Sequence, residues 1–287
     1  MTPNESEHGT PPDPGRPPSF VYVGGERCAS TWIHACLDEH PNVFVSDPKE
    51  LDYFSRHIDR GLGWYLSRFT PSPTETVWGE LSPSYLSCVD APAKLAELSP
   101  GCKLLMSFRN PVDRAYSYYQ LRKEMPELAG RSIEEIVERD LGGIVTNGLY
   151  AEHLERWKAH FPSDQIHVVF YEDLLKDDQE LIQGVYGALG VDPGFRPSWV
   201  GRSKNAAVFP KTQATLRKLG LGFVLRGARK TPLTDLARRY VRSKRMKSRG
   251  HRSGFSPELR AFLIERYREP NARLSAMLGR DLSAWNQ

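Results

Sequence analysis

Phe20, Val21, Tyr22 and Val23 form a short apolar run of strand-forming types, ended by Gly24 and Gly25, where the chain can turn with no Cβ in the way. The period then changes. Trp32, Ile33, Cys36 and Leu37 recur as one face of a helix, with Ser30 or Thr31 available to cap it. Further strands are predicted over 43–45, 104–108 and 166–171, and a strand end over 77–80. Helical stripes are predicted over 61–69, 133–141, 150–161 and 179–189, the last closed by Gly190, and Pro111 is placed to open another. Short apolar runs alternating with amphipathic helices define an α/β chain.

Residues 1–18 carry six prolines and almost no large apolar side chains, so they are expected to be a disordered leader ahead of one domain over 19–287. A chain of 287 residues has ample length for a real core, and its net charge of +4 is mild. Cysteines at 28, 36, 88 and 102 show neither a CxxC pair nor metal-ligand spacing. Reduced thiols, no metal and a cytoplasmic setting are therefore expected. No run approaches the roughly 18 apolar residues of a membrane span, and no signal pattern opens the chain.

The stretch over 19–37 carries the first candidate chemistry. Strand, glycine turn and helix N-terminus gather backbone N–H groups and the positive end of a helix dipole around one small volume, which suits a phosphate or sulfate. A tight turn with no ligand is the plain alternative. A nucleoside triphosphate loop would place Gly and Lys where this chain has Ala29 and Ser30. Here the cation is Arg27, ahead of the hydroxyl pair Ser30 and Thr31, which points to a diphosphate-sized or mixed phosphate–sulfate group.

Three more stretches bear on the same cleft. Glu50, beside the aromatic pair Tyr53 and Phe54, is a carboxylate that the pair can hold in place as a general base if it packs inward; a solvated loop glutamate is the alternative. Ser82, Ser84 and Tyr85 lie at a strand end and turn that can bring hydroxyls there. Arg109 leaves the carboxyl end of a strand, and Ser117 lies about two turns into the next helix, a second anion site. Pairing of Arg109 and Arg114 with acids such as Asp113 is the alternative there.

These motifs are where the chain resembles the PAPS-dependent sulfotransferases, which move a sulfuryl group from 3′-phosphoadenosine 5′-phosphosulfate (PAPS) to a hydroxyl or amine. Arg27-Cys28-Ala29-Ser30-Thr31, followed by Trp32, looks like the family's 5′-phosphosulfate loop, and Arg109-Asn110-Pro111 with Ser117 like its 3′-phosphate motif. The segment Lys49 to Phe54 with Gly61-x-x-Trp64-Tyr65 looks like the heparan-sulfate-type branch, whose matching glutamate is the base. The resemblance extends through Gly148 to Trp157, Ile166 to Leu174 and Asn271 to Trp285.

It implies a P-loop-like central parallel sheet flanked by helices, Glu50 as base, in-line transfer, adenosine 3′,5′-bisphosphate as product and a late loop closing over the nucleotide, with Lys204 and Lys211 as candidates to touch phosphate. Three departures stand out: Ala29 replaces the usual loop glycine, Arg27 stands where many members carry lysine, and Leu81 sits where heparan-type enzymes carry a second catalytic lysine.

The acceptor stays open, as a small molecule, glycoside or lipid, acidic or carrier-bound. Tyr53, Phe54, Trp64, Tyr65 and Tyr85 suit a hydrophobic acceptor or plain core packing equally well. Between 211 and 252 fourteen Lys or Arg stand against Asp235 alone. A solvated helical face, an acceptor-side surface and, last, a nucleic-acid patch compete for that basic helical segment; no nucleic acid is expected. Composition is compatible with a bacterial natural-product tailoring enzyme. A nucleotide-dependent phosphotransferase and a non-catalytic nucleotide- or polyanion-binding protein are the rival classes.

Overall fold

The computed structural model describes residues 15–201 and 254–287. The chain divides into two units, Met1–Val200 with Phe255–Gln287, and Gly201–Gly254. The first holds everything described below. The predicted lid, Lys204, Lys211 and the basic segment lie outside the described residues.

In chain order the elements are β1 (Phe20–Gly24), α1 (Ser30–Leu37), β2 (Val43–Val45), α2 (Tyr53–Arg56), α3 (Leu62–Leu66), β3 (Val77–Leu81) and α4 (Ala91–Leu98). They continue as β4 (Lys103–Phe108), α5 (Pro111–Arg122), α6 (Ile133–Glu138), α7 (Tyr150–Lys158), β5 (Ile166–Phe170), α8 (Tyr171–Lys176) and α9 (Asp178–Leu189), and α10 (Pro257–Leu278) closes the described chain. All strands pair in parallel in the order β2-β3-β1-β4-β5. The expected α/β architecture with a P-loop-like central parallel sheet is the one found.

Period-2 alternation along β1 splits the core into two layers. Phe20 and Tyr22 pack with Ile33, Cys36 and Leu37 of α1 and with α9, while Val21 and Val23 face Tyr53, Phe54, Tyr65 and Tyr85 and the helices α7 and α10. A third cluster joins α5 and α6 to α10 through Val112, Ala115, Ile136, Leu263 and Tyr267.

Several boundaries differ from the pattern reading. β5 ends at Phe170, and its first four residues are only half-buried, because it is the sheet edge. α6 stops at Glu138 and α7 at Lys158, short of the predicted ends. Within the expected leader, the Pro17 carbonyl accepts from Trp78 Nε1 at 2.8 Å and the Pro18 carbonyl from Ser99 Oγ at 2.9 Å. Prolines lack a donor but keep the carbonyl, and those carbonyls dock. No helix among the described residues is long and apolar enough to cross a membrane.

Candidate functional site at the carboxyl ends of β1 and β4

β1 lies between β3 and β4, so the chain leaves β1 toward one half of the sheet and β4 toward the other. This is the topological switch point, where open α/β sheets bind their ligands. β1 and the loop after it are tied to β4 by three bonds: Gly25 N–H donates to the Ser107 carbonyl at 2.7 Å, Ser107 Oγ donates to the Cys28 carbonyl at 2.6 Å, and Tyr22 OH of β1 lies 2.5 Å from Ser107 Oγ. A Cβ at Gly24 would meet Leu86 Cβ at 2.4 Å, which is why glycine stands there. Ser107 was not singled out from sequence. The signal was a lone polar residue inside a buried apolar strand.

Arg27 and Ala29 hold left-handed backbone, with φ of 66° and 78°. Ala29 is the N-cap of α1, and neither it nor Ser30 or Thr31 caps the helix by a side chain. The hydroxyl cap predicted at Ser30 or Thr31 is therefore not formed. Ser30 is instead the first helical residue, at the turn whose N–H groups have no intrahelical partner. Ala29 adopts the glycine-type conformation of this loop despite its Cβ, a cost of about 1–2 kcal/mol.

The Cys28 side chain turns inward, 3.6 Å from Tyr150 OH, and burial pushes its thiol up to about 11. Only its main chain is left for an anion. Trp32 Nε1 donates to the Trp199 carbonyl at 3.4 Å, so the indole donor is already engaged. Thr31 is exposed.

Across the switch point, Asn110 caps α5 by accepting from the N–H groups of Val112 and Asp113. Arg109 lies over the Tyr171 ring, 4.5 Å from its centroid, and Asp113 pairs with Arg260 at 3.4 Å. Arg114 is fully buried and donates to the Ile144 carbonyl. Neither arginine takes the local pairing considered from sequence. Arg27 Nε donates to Ser117 Oγ at 3.0 Å, joining the two predicted anion sites. Although Arg27 is open to solvent as a residue, the loop walls partly desolvate its guanidinium and lower its pKa, and the charge of Arg109 lowers it further. Two facing cations raise the local potential for an anion.

Lys49 and Glu50 complete the cleft. Glu50 has a φ of 66° and its side chain is 47 % exposed; Lys49 is 14 % exposed, pairs with the Glu50 carboxylate and places Nζ 3.4 Å from Ser30 Oγ. Four of the five non-glycine residues with positive φ among those described, Arg27, Ala29, Glu50 and Asp52, fall in these two segments. Backbone strain of this kind gathers at functional sites.

The segment hangs from a buried carboxylate. Glu80 accepts from Ser82 Oγ at 2.5 Å and Tyr85 OH at 2.8 Å; those oxygens in turn accept from the backbone N–H of Asp52 at 3.0 Å and of Tyr53 at 2.7 Å. Burial pushes Glu80 up to about 7. The hydroxyls of Ser82 and Tyr85 thus support the Glu50 segment from within instead of lining the cleft, and Ser84 bonds Asp52. Tyr53, Phe54, Tyr65 and Tyr85 are core, while Trp64 is held between Arg60 and Arg68. Leu81 is buried beside Ile33 and offers no charge.

The parallel sheet defines an α/β protein of the P-loop-like kind, and the switch-point cradle with its cations is its candidate site for an anionic group. The chain belongs to the sulfotransferase family: the Sulfotransferase domain matches residues 17–203. It is 27% identical to the mouse Bifunctional heparan sulfate N-deacetylase/N-sulfotransferase 3 over 94% of this chain and 31% of that protein. It is also 30% identical to the human Heparan sulfate glucosamine 3-O-sulfotransferase 3B1 over 61% of this chain and 46% of that one. The chain thus spans less than half the length of both. A sulfotransferase from Alicyclobacillus acidocaldarius shares the fold, with a TM-score of 0.67 and 22% identity over 94% of this chain and 99% of that one.

Proposed function

We propose that this chain transfers a sulfuryl group from PAPS to a hydroxyl or amine of a small-molecule, glycoside or lipid acceptor. The carrying observation is the Arg27–Ser117 bond, because it fuses the loop after β1 and the helix after β4 into one two-ended cradle. A donor with a phosphosulfate at one end and a phosphate at the other suits a cradle that carries a cation on each of its two segments. Arg109 and Ser117 serve the 3′-phosphate end; Arg27, Ser30 and the first N–H groups of α1 serve the phosphosulfate.

In the transfer, Glu50 takes the proton from the acceptor as its oxygen or nitrogen forms a bond to sulfur. The bond from sulfur to the bridging oxygen breaks, and its electron pair leaves on the 5′-phosphate of adenosine 3′,5′-bisphosphate. Arg27 stabilises the charge that builds on that oxygen. Glu50 then returns its proton to water, and its exposed carboxylate is open to both partners. The two curated relatives are named for N- and 3-O-sulfotransfer, which supports keeping both acceptor atoms in the reading.

Titration calorimetry with adenosine 3′,5′-bisphosphate beside ATP, on wild type and Arg109→Ala, tests the donor. Tight binding of the bisphosphate, weakened in the variant, is expected; equal or tighter binding of ATP overturns the reading. Transfer of labelled sulfate from PAPS to a panel of alcohols, amines and glycosides then tests the reaction.

A further inference from the structure

We propose that Lys49 is a catalytic residue that binds the transferred sulfonate, supplying from a separate segment the lysine that the loop after β1 lacks. The inference rests on the sulfuryl-transfer reading and deepens it.

A glycine-turn anion loop ordinarily carries a lysine directly before its hydroxyl residue, because a point charge with three donors can follow a group as its charge shifts. This loop has Ser30 there, ahead of the Thr31 hydroxyl, and no lysine occurs between Gly24 and Leu37. Lys49 comes from the segment that follows β2 and places Nζ 3.4 Å from the Oγ of Ser30, the first residue of α1. Its side chain is only 14 % exposed, so the stem is packed and the ammonium delivered to one point.

The same ammonium pairs with Glu50, the next residue. Side chains of neighbouring residues in extended chain diverge to opposite faces, but the left-handed turn at Glu50 lets these two converge. The turn is not loose. Asp52 and Tyr53 donate their backbone N–H groups to Ser82 Oγ and Tyr85 OH, both of which are bound to the buried Glu80.

In-line transfer places base, acceptor atom, sulfur and leaving oxygen along one axis. Glu50 marks the acceptor end, and Ser30 with Arg27 marks the leaving-oxygen end. Lys49 touches a group at each end, so its ammonium stands beside the middle, where the sulfonate oxygens must lie. There it stabilises charge on the moving group and keeps Glu50 aimed at the acceptor.

If Lys49 served only to neutralise Glu50, it would not distinguish a donor that carries the sulfonate from a product that has lost it. Calorimetry of PAPS and of adenosine 3′,5′-bisphosphate on wild type and Lys49→Met separates the two cases without any acceptor. Loss of a charge-assisted contact predicts that Lys49→Met weakens PAPS by about 10- to 100-fold. The bisphosphate should bind as before, which also shows that the variant is folded. Equal weakening of both ligands, or no change in either, overturns the assignment to Lys49 while leaving the donor reading intact. Wild type that binds neither ligand overturns the donor reading and this inference together.

Discussion

Arg27 and Ser117 stand 90 residues apart in sequence, yet the guanidinium Nε of one donates to the hydroxyl of the other at 3.0 Å. Neither end of the cradle is independent of the other. Arg27→Ala and Ser117→Ala should each weaken adenosine 3′,5′-bisphosphate, and the double variant should lose less than the sum. A coupling of about 0.5–3 kcal/mol is expected from a double-mutant cycle in calorimetry. Strict additivity would show that the bond carries nothing.

Glu50→Gln keeps the size and hydrogen-bonding reach of the side chain and removes the carboxylate proposed as the base. Turnover should fall by about 10²–10⁴-fold with nucleotide affinity unchanged. Near-normal turnover with the nucleotide bound normally would remove Glu50 from the mechanism.

Ala29→Gly should stabilise the protein. Its φ of 78° costs alanine about 1–2 kcal/mol, and the extra freedom of glycine in the unfolded chain returns about 0.5–1 kcal/mol of that. A net gain of roughly 0.5–1 kcal/mol should appear as a higher urea midpoint with the same slope. A loss would mean that the methyl group packs better than its backbone suffers.

Glu80 makes stability depend on pH in an unusual direction. Its pKa rises from 4.5 when free to about 7 in the fold, so between those values the folded chain holds a proton that the unfolded chain has released. Stability contributed by this group is therefore full below about pH 4.5 and declines as pH rises to about 7. Glu80→Gln should remove that decline. Urea unfolding of both proteins at about pH 5 and about pH 8 measures the difference, and parallel slopes would contradict it.

Much of the scaffold was legible because its signals are local. β2 spans the predicted Val43–Val45, and β1 and β4 each differ by one residue, since short apolar runs bounded by Gly, Pro or polar residues have few other uses. The start of α5 was also readable, because Pro111 opens it as expected and so places Ser117 on that helix. What escaped depends on contacts between segments. The place of Lys49 beside Ser30 is a contact between segments 19 residues apart, and its convergence with Glu50 uses a left-handed turn that no residue pattern there announces. Ala29 reads as a replacement of the loop glycine, and only the structure shows that it keeps the glycine-type backbone. The hydroxyls of Ser82 and Tyr85 look available in sequence, and only the buried Glu80 shows them to be committed.

Asn110, which caps α5, also donates from Nδ2 to the Trp285 carbonyl at 3.4 Å, across 175 residues, while the Trp285 ring packs near Tyr150 and Phe170. During synthesis at about 5–20 residues per second, the ribosome needs roughly 10–35 s to make the intervening chain. The start of α5 emerges early and waits for its partner. A chain that has not yet presented Trp285 therefore leaves the Asn110 cap of α5 without one of its partners.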